Sequence, residues 1–182
     1  MAVRDVLFWG ILGVDYGLIV PSLSRLPAPL ARIGFALRGL FQGILGYDWR
    51  CFALRSWYVF PGTYQAMTVL RPQAGRCSRL WLTLKRFVHY SLEEYEACLL
   101  GRPVMHRIQG GTEIDDRSGK KVWNHPGQGL VLVSAHWGSF CMGMALLGMH
   151  GVVPHHFLNT AVIEDARIHP LVRRFFQNKY RG

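Results

Sequence analysis

An α/β fold is what this sequence predicts, and three observations carry the prediction. Gly129-Leu-Val-Leu-Val-Ser-Ala-His136 is an uncharged run of strand length, with Leu130 to Val133 as its strand core. Beyond a turn containing Gly138, Met142 to Met149 is a second apolar segment of helical length. Val152-Val153 and Phe157-Leu158 then suggest a further strand region, followed by a basic helix over His169 to Gly182. Strand, helix, strand, helix is a βαβ-like order and argues for an α/β architecture. In open α/β sheets ligands bind beyond the carboxyl ends of the strands, so His136 stands where a reactive side chain would be useful.

Taken in order, the chain begins with a mostly apolar stretch, Val6 to Leu23. A spanning helix needs roughly 20 apolar residues, and Asp15, Pro21 and the glycines make this one a poor transmembrane candidate. Trp9 and Tyr16 suit a helix lying at a membrane interface instead. After Pro27-Ala-Pro29, Leu30 to Leu45 repeats apolar residues at helical spacing with Arg32 and Arg38 on the other side, a basic amphipathic helix. Tyr47 to Tyr64 is rich in aromatics. Cys77 to Leu100 reads as a long helix, and Ser91 followed by Glu94 is a capping-box pattern that suits a break and restart, with Glu93, Glu94 and Glu96 on a solvated first turn. Val104 to Ile108 suggests a short strand before a polar loop, and Asn124 to Gly129 is turn chemistry. Pro170 stands at a first-turn position of the last helix, where a missing N–H is tolerated. Two regions follow: a helical, apolar and basic membrane-associated part at 1–46, and an α/β part at 47–182.

With 182 residues the chain can bury a substantial core. Its formal charge is +10, and of its 21 basic residues only Lys85, Lys120, Lys121 and Lys179 are lysines. Arginine's planar fork suits phosphate and carboxylate, so the bias points to phosphate-bearing partners, lipid headgroups or nucleic acid. Cys51, Cys77, Cys98 and Cys141 are widely spaced, which suggests neither a zinc site nor a disulfide framework. His155-His156 lacks a Cys or carboxylate at ligand spacing, and no metal or other cofactor is expected.

Ser134-Ala-His136-Trp-Gly-Ser-Phe-Cys141 resembles the signature of the bacterial lipid A biosynthesis lauroyl and myristoyl acyltransferases, within the lysophospholipid acyltransferase superfamily. That family typically places an acidic residue five positions after the histidine. His136, Gly138 and the aromatic Phe140 match, while Cys141 occupies the acidic position. The apolar, basic N-terminal region, the long helix ahead of Gly101-Arg102 and the basic helix after His169-Pro170 resemble the family more loosely. The chain reaches only about the first half to two thirds of a family member.

The resemblance implies a partial lysophospholipid-acyltransferase-like fold on the cytoplasmic face of the cell inner membrane, held peripherally or monotopically. It also implies a reaction: transfer of a fatty acyl chain from an acyl-carrier-protein or coenzyme A thioester to a hydroxyl of a lipid A precursor or related phosphorylated or glycosylated lipid. His136 would be the general base that takes the proton from the acceptor hydroxyl. Arg173, Arg174 and Lys179 would meet the phosphorylated lipid or the acidic carrier. The spacing of Arg173 and Arg174 places them on different helix faces, so at most one points into a cleft.

A thiol cannot supply the charge of the missing carboxylate. In a serine-protease triad, replacing that group by its amide lowers turnover by about 10⁴. Cys141 itself could act as a nucleophile, but its apolar neighbours Phe140 and Met142 favour an inert buried thiol. Two alternatives stand beside the enzyme: an inactive or truncated homologue that binds lipid or a partner, and a basic nucleic-acid-binding domain. The second lacks any recognised motif, so no nucleic acid is expected.

Overall fold

The computed structural model describes residues 3–49, 59–100, 102–112, 140–149, 151 and 161–181. These residues are helical, and no strand is present among them, which corrects the expected α/β fold to a helical one. The expected strands at 130–133 and 152–158 lie outside the described residues. The third, Val104 to Ile108, falls within them and belongs to a helix, Val104–Gly110. The run is too short for its periodicity to separate strand from helix. Pro103, at φ −55° and ψ −24°, already holds the backbone in the helical region ahead of it, and Met105 is its one buried apolar anchor.

The N-terminal segment is helical from Val3 to Leu23. Helix α1 (Val3–Val14) passes into a π-helical turn (Asp15–Ile19) and then into α2 (Val20–Leu23). Such wide turns add a residue to the helical repeat and redirect side chains locally; here the turn carries the buried Asp15 and Tyr16. Pro21 lies in the first turn of α2, where proline is tolerated. By length and composition Val6–Leu23, with mean hydropathy 1.7, is apolar enough to cross a membrane.

Helix α3 (Ala28–Leu45) starts from Pro27 with Pro29 in its first turn and stops at Gly46, whose φ of 65° is left-handed. After α4 (Val59–Leu70), the long α5 (Arg76–Ala97) runs without a break through Ser91. The capping-box pattern is thus not a restart. Helix α4 leans on α5 through Phe60, stacked on Phe87 at 5.9 Å. The chain continues as α6 (Val104–Gly110), α7 (Phe140–Met149), the single turn α8 (Ala161–Glu164) and α9 (Pro170–Arg181). Gln109 ties α6 to α7 by donating from Nε2 to the Met149 carbonyl at 3.0 Å.

Helix α3 packs closely against α5. A Cβ added at Gly39 would stand 2.6 Å from the Phe87 carbonyl oxygen and 2.7 Å from Val88 Cα. Small residues let helix backbones approach this closely, and Gly43, one turn on, extends the contact. Because the obstruction is backbone, Gly39→Ala is expected to destabilise the protein by about 2–3 kcal/mol, at the upper end of overpacking costs. A thermal melt in mild detergent reads this out, and an unchanged melt would show that the helices can separate freely.

A core of Leu12, Tyr16, Val20, Ala31, Phe35, Trp49, Tyr95, Ile168, Val172 and Phe176 joins the N-terminal segment, α3, α5 and α9. The polarity of α3 around that core is inverted. Its Leu30, Ile33, Leu37, Phe41, Ile44 and Leu45 are each more than half exposed, while Arg38 and Gln42 are 4% and 2% exposed. The N-terminal segment likewise exposes Val6, Leu7, Val14 and Leu18 and buries Asp15. A helix facing water normally shows the opposite arrangement.

Candidate functional site

Three buried charged side chains, Asp15, Arg38 and Glu94, meet at one point. Arg38 of α3 donates from Nε and Nη2 to the two carboxylate oxygens of Asp15, at 2.7 and 2.6 Å. Its Nη1 donates to Ser91 Oγ at 2.9 Å and to Glu94 Oε2 at 2.5 Å. Tyr16 donates its hydroxyl to the other Glu94 oxygen at 2.5 Å. Ser91 and Glu94, three residues apart on α5, share the face turned to Arg38. They are buried in this network, which corrects the expectation of a solvated acidic turn at Glu94, while Glu93 and Glu96 are half-buried.

Burial opposes the charge on Arg38, but the carboxylates of Glu94 and Asp15 outweigh it and hold the guanidinium well above its ordinary pKa. Burial pushes Glu94 up while Arg38 and Tyr16 pull it down, leaving it above the usual carboxylate range. The network is sealed from solvent, so its chemistry is structural. It fastens the π turn, α3 and α5 to one another.

Beside it opens a cleft of 420 Å³ between the N-terminal segment, the C-terminal end of α5 and α9. Arg102, Arg174, Lys179 and Asn178 provide its polar groups, and Val20, Pro21, Leu100, Leu171 and Phe175 its apolar walls. Among the described residues no Asp or Glu lines it. Arg102 is fixed by donating from Nη1 to the Ser24 carbonyl at 2.8 Å and from Nη2 to Ser24 Oγ at 3.1 Å. Its remaining guanidinium N–H donors are left over from this anchor. Lys179 lies over the Phe176 ring at 5.7 Å, a cation–π contact that steadies its stem. Cys98 also borders the cleft, where burial raises its thiol to about 11 and keeps it inert.

The geometry separates the residues the sequence singled out. His136 lies outside the described residues, as does the side chain of Cys141, which falls in the first turn of α7. Arg174 and Lys179 line the cleft, whereas Arg173 does not; its Nε is buried with no hydrogen-bond partner among the described residues. Of the four carboxylates that could replace the one missing from the motif, Asp115, Asp116, Glu164 and Asp165, the first two lie outside the described residues, and Glu164 is exposed at the end of α8. Asp165 is engaged by Arg167, whose hydrogen bonds lower it to about 2. His169 precedes α9 and accepts the Leu171 N–H on Nδ1 at 3.2 Å, with Trp9 packed at 4.7 Å. Burial lowers its pKa, which keeps the ring in the neutral form that this acceptor role needs.

Sequence reasoning missed the Asp15–Arg38–Glu94 network and the part played by Arg102. The network did leave a signal: a lone charge within an apolar segment needs an internal partner of opposite sign. No protein-family model, curated protein or solved structure matches this chain.

Proposed function

We propose that this is a monotopic membrane protein of the lipid acyltransferase type, acting on a phosphorylated or glycosylated lipid with an acyl-carrier-protein or coenzyme A thioester as donor. The observation that carries the membrane part is the inverted polarity of α3, with its apolar stripe outward and Arg38 sealed inside. In water such a stripe costs free energy, and against a bilayer it is favourable. The acidic partners of Arg38 come from the fold itself, so burying the charge does not require lipid contact.

The acyl-transfer part rests on Ser134 to Cys141. In this reading His136 removes the proton from the acceptor hydroxyl as its oxygen attacks the thioester carbonyl. The C–S bond breaks as the ester forms, and the departing sulfur takes that proton from His136 to leave as a thiol. The placement is the cytoplasmic face of an inner membrane, where both thioester donors are found. Cys141 in the motif's acidic position favours a second reading, a homologue that binds lipid without transferring acyl groups.

The two readings part in a transfer assay with radiolabelled acyl carrier protein and a phosphorylated glycolipid acceptor. The enzyme reading expects product that disappears in His136→Ala and rises in Cys141→Glu, which restores the charge beside the base. Transfer that is unchanged in His136→Ala would refute it. Absence of product from both the native chain and Cys141→Glu would favour the binding homologue.

A further inference from the structure

We propose that the cleft beside Tyr16 seats the phosphate-bearing headgroup of an anionic membrane phospholipid. The inference rests on the membrane reading of the exposed stripe and adds to it a preference for lipid charge. Arg102, Arg174 and Lys179 converge on this one cavity from two different parts of the chain, with no carboxylate among the described residues that line it. Three cations around one cavity fit a phosphate, and the guanidinium forks can take its oxygens in pairs. Arg102 is pre-set for this, because Ser24 already fixes its side chain.

The walls select a lipid over a free anion. Val20, Pro21, Leu171 and Phe175 give the cleft apolar sides, which a bare phosphate would not use. Gly17 and Val20 line it, while Leu18 and Ile19 between them are exposed on the segment that presents apolar side chains outward. The headgroup site is therefore continuous in sequence with the membrane-facing surface. At 420 Å³ the cleft falls in the range of roughly 300–1,000 Å³ of small-molecule sites, sufficient for a headgroup with its phosphate.

Vesicle flotation tests the assignment, using phosphatidylcholine alone and phosphatidylcholine mixed with phosphatidylglycerol. The native chain is expected to bind both and to prefer the mixed vesicles. R174Q/K179Q should lose that preference, by about fivefold per cation and roughly 25-fold for the pair, while binding to neutral vesicles stays as before. The charge-matched R71Q/R76Q, at exposed positions away from the cleft, should keep it. If the double variant does not fold, R174Q alone, at an exposed position, should still lose about fivefold.

An equal loss in R71Q/R76Q would reduce the preference to net charge and overturn the site, as would a preference that survives in R174Q/K179Q. Competition by inorganic phosphate at matched ionic strength would identify a free-anion site and overturn the lipid assignment. A native chain that binds both vesicle types equally refutes the headgroup site alone. One that binds neither refutes the membrane reading as well.

Discussion

Replacing Arg38 by methionine is expected to cost on the order of 3–5 kcal/mol, because it leaves Asp15 and Glu94 buried without their cation. Domains of this kind hold only about 5–15 kcal/mol in total, so the N-terminal segment, α3 and α5 should lose their mutual packing. The loss comes from the stranded carboxylates, which a second variant can show. In Asp15→Asn/Arg38→Met/Glu94→Gln no charge remains, and stability should return to within about 1–2 kcal/mol of the native chain. The single variant should also be more stable at about pH 5 than at about pH 8. Burial raises Glu94 in the folded state, and without Arg38 only the Tyr16 hydrogen bond opposes that rise, so the folded protein binds a proton that the unfolded chain has lost. Stability then falls as pH rises above the ordinary carboxylate range. Thermal melts in mild detergent across that range measure both effects, and a single variant that melts like the native chain would show that the network contributes nothing.

The same network marks the limit of what could be read from the residues. Helical spacing from Leu30 to Leu45 and from Cys77 to Leu100 locates α3 and α5, and Pro170 locates the start of α9. Spacing tells which side chains share a face, but it does not tell whether that face turns inward. On α3 the ordinary rule places Arg38 outside and Leu37 inside, and the structure has them reversed. Ser91 and Glu94 mislead for a related reason. Their separation of three residues is that of a capping box at a helix start, and inside a helix it is also that of two neighbours on one face. Only the partner decides between them, and Arg38 lies 53 residues away from Ser91.

The cleft was partly legible. The split between Arg173 and Arg174 follows from helix geometry, whereas Arg102 reaches the cleft through its bonds to Ser24, a contact between residues 78 apart. The α/β expectation drew on apolar runs at 104–108, 130–133 and 152–158, and the run within the described residues is helical. Short apolar runs do not distinguish a strand from a buried turn of helix.

Taking the apolar stripe off α3 should release the protein from bilayers. In Leu37→Gln/Phe41→Gln/Ile44→Gln three side chains that are 51%, 56% and 61% exposed are replaced by a good helix former. Full burial of such a side chain contributes about 1.5–3 kcal/mol, and roughly half of each is available to a membrane. About 1 kcal/mol per residue gives about 3 kcal/mol together, so partitioning into neutral vesicles should fall by roughly two orders of magnitude. The melt of the detergent-solubilised protein should hardly move, because these side chains face away from the core and Arg38 keeps its partners. An alternative occupant of the stripe, a second copy of the chain, has a different signature: the variant would change from dimer to monomer in sedimentation while its vesicle partitioning stayed as before. Unchanged partitioning would therefore refute the membrane assignment even if the protein became more soluble. Loss of partitioning with an intact melt would support a fold in which the Asp15–Arg38–Glu94 network holds the charges inward and α3 presents its apolar face to lipid.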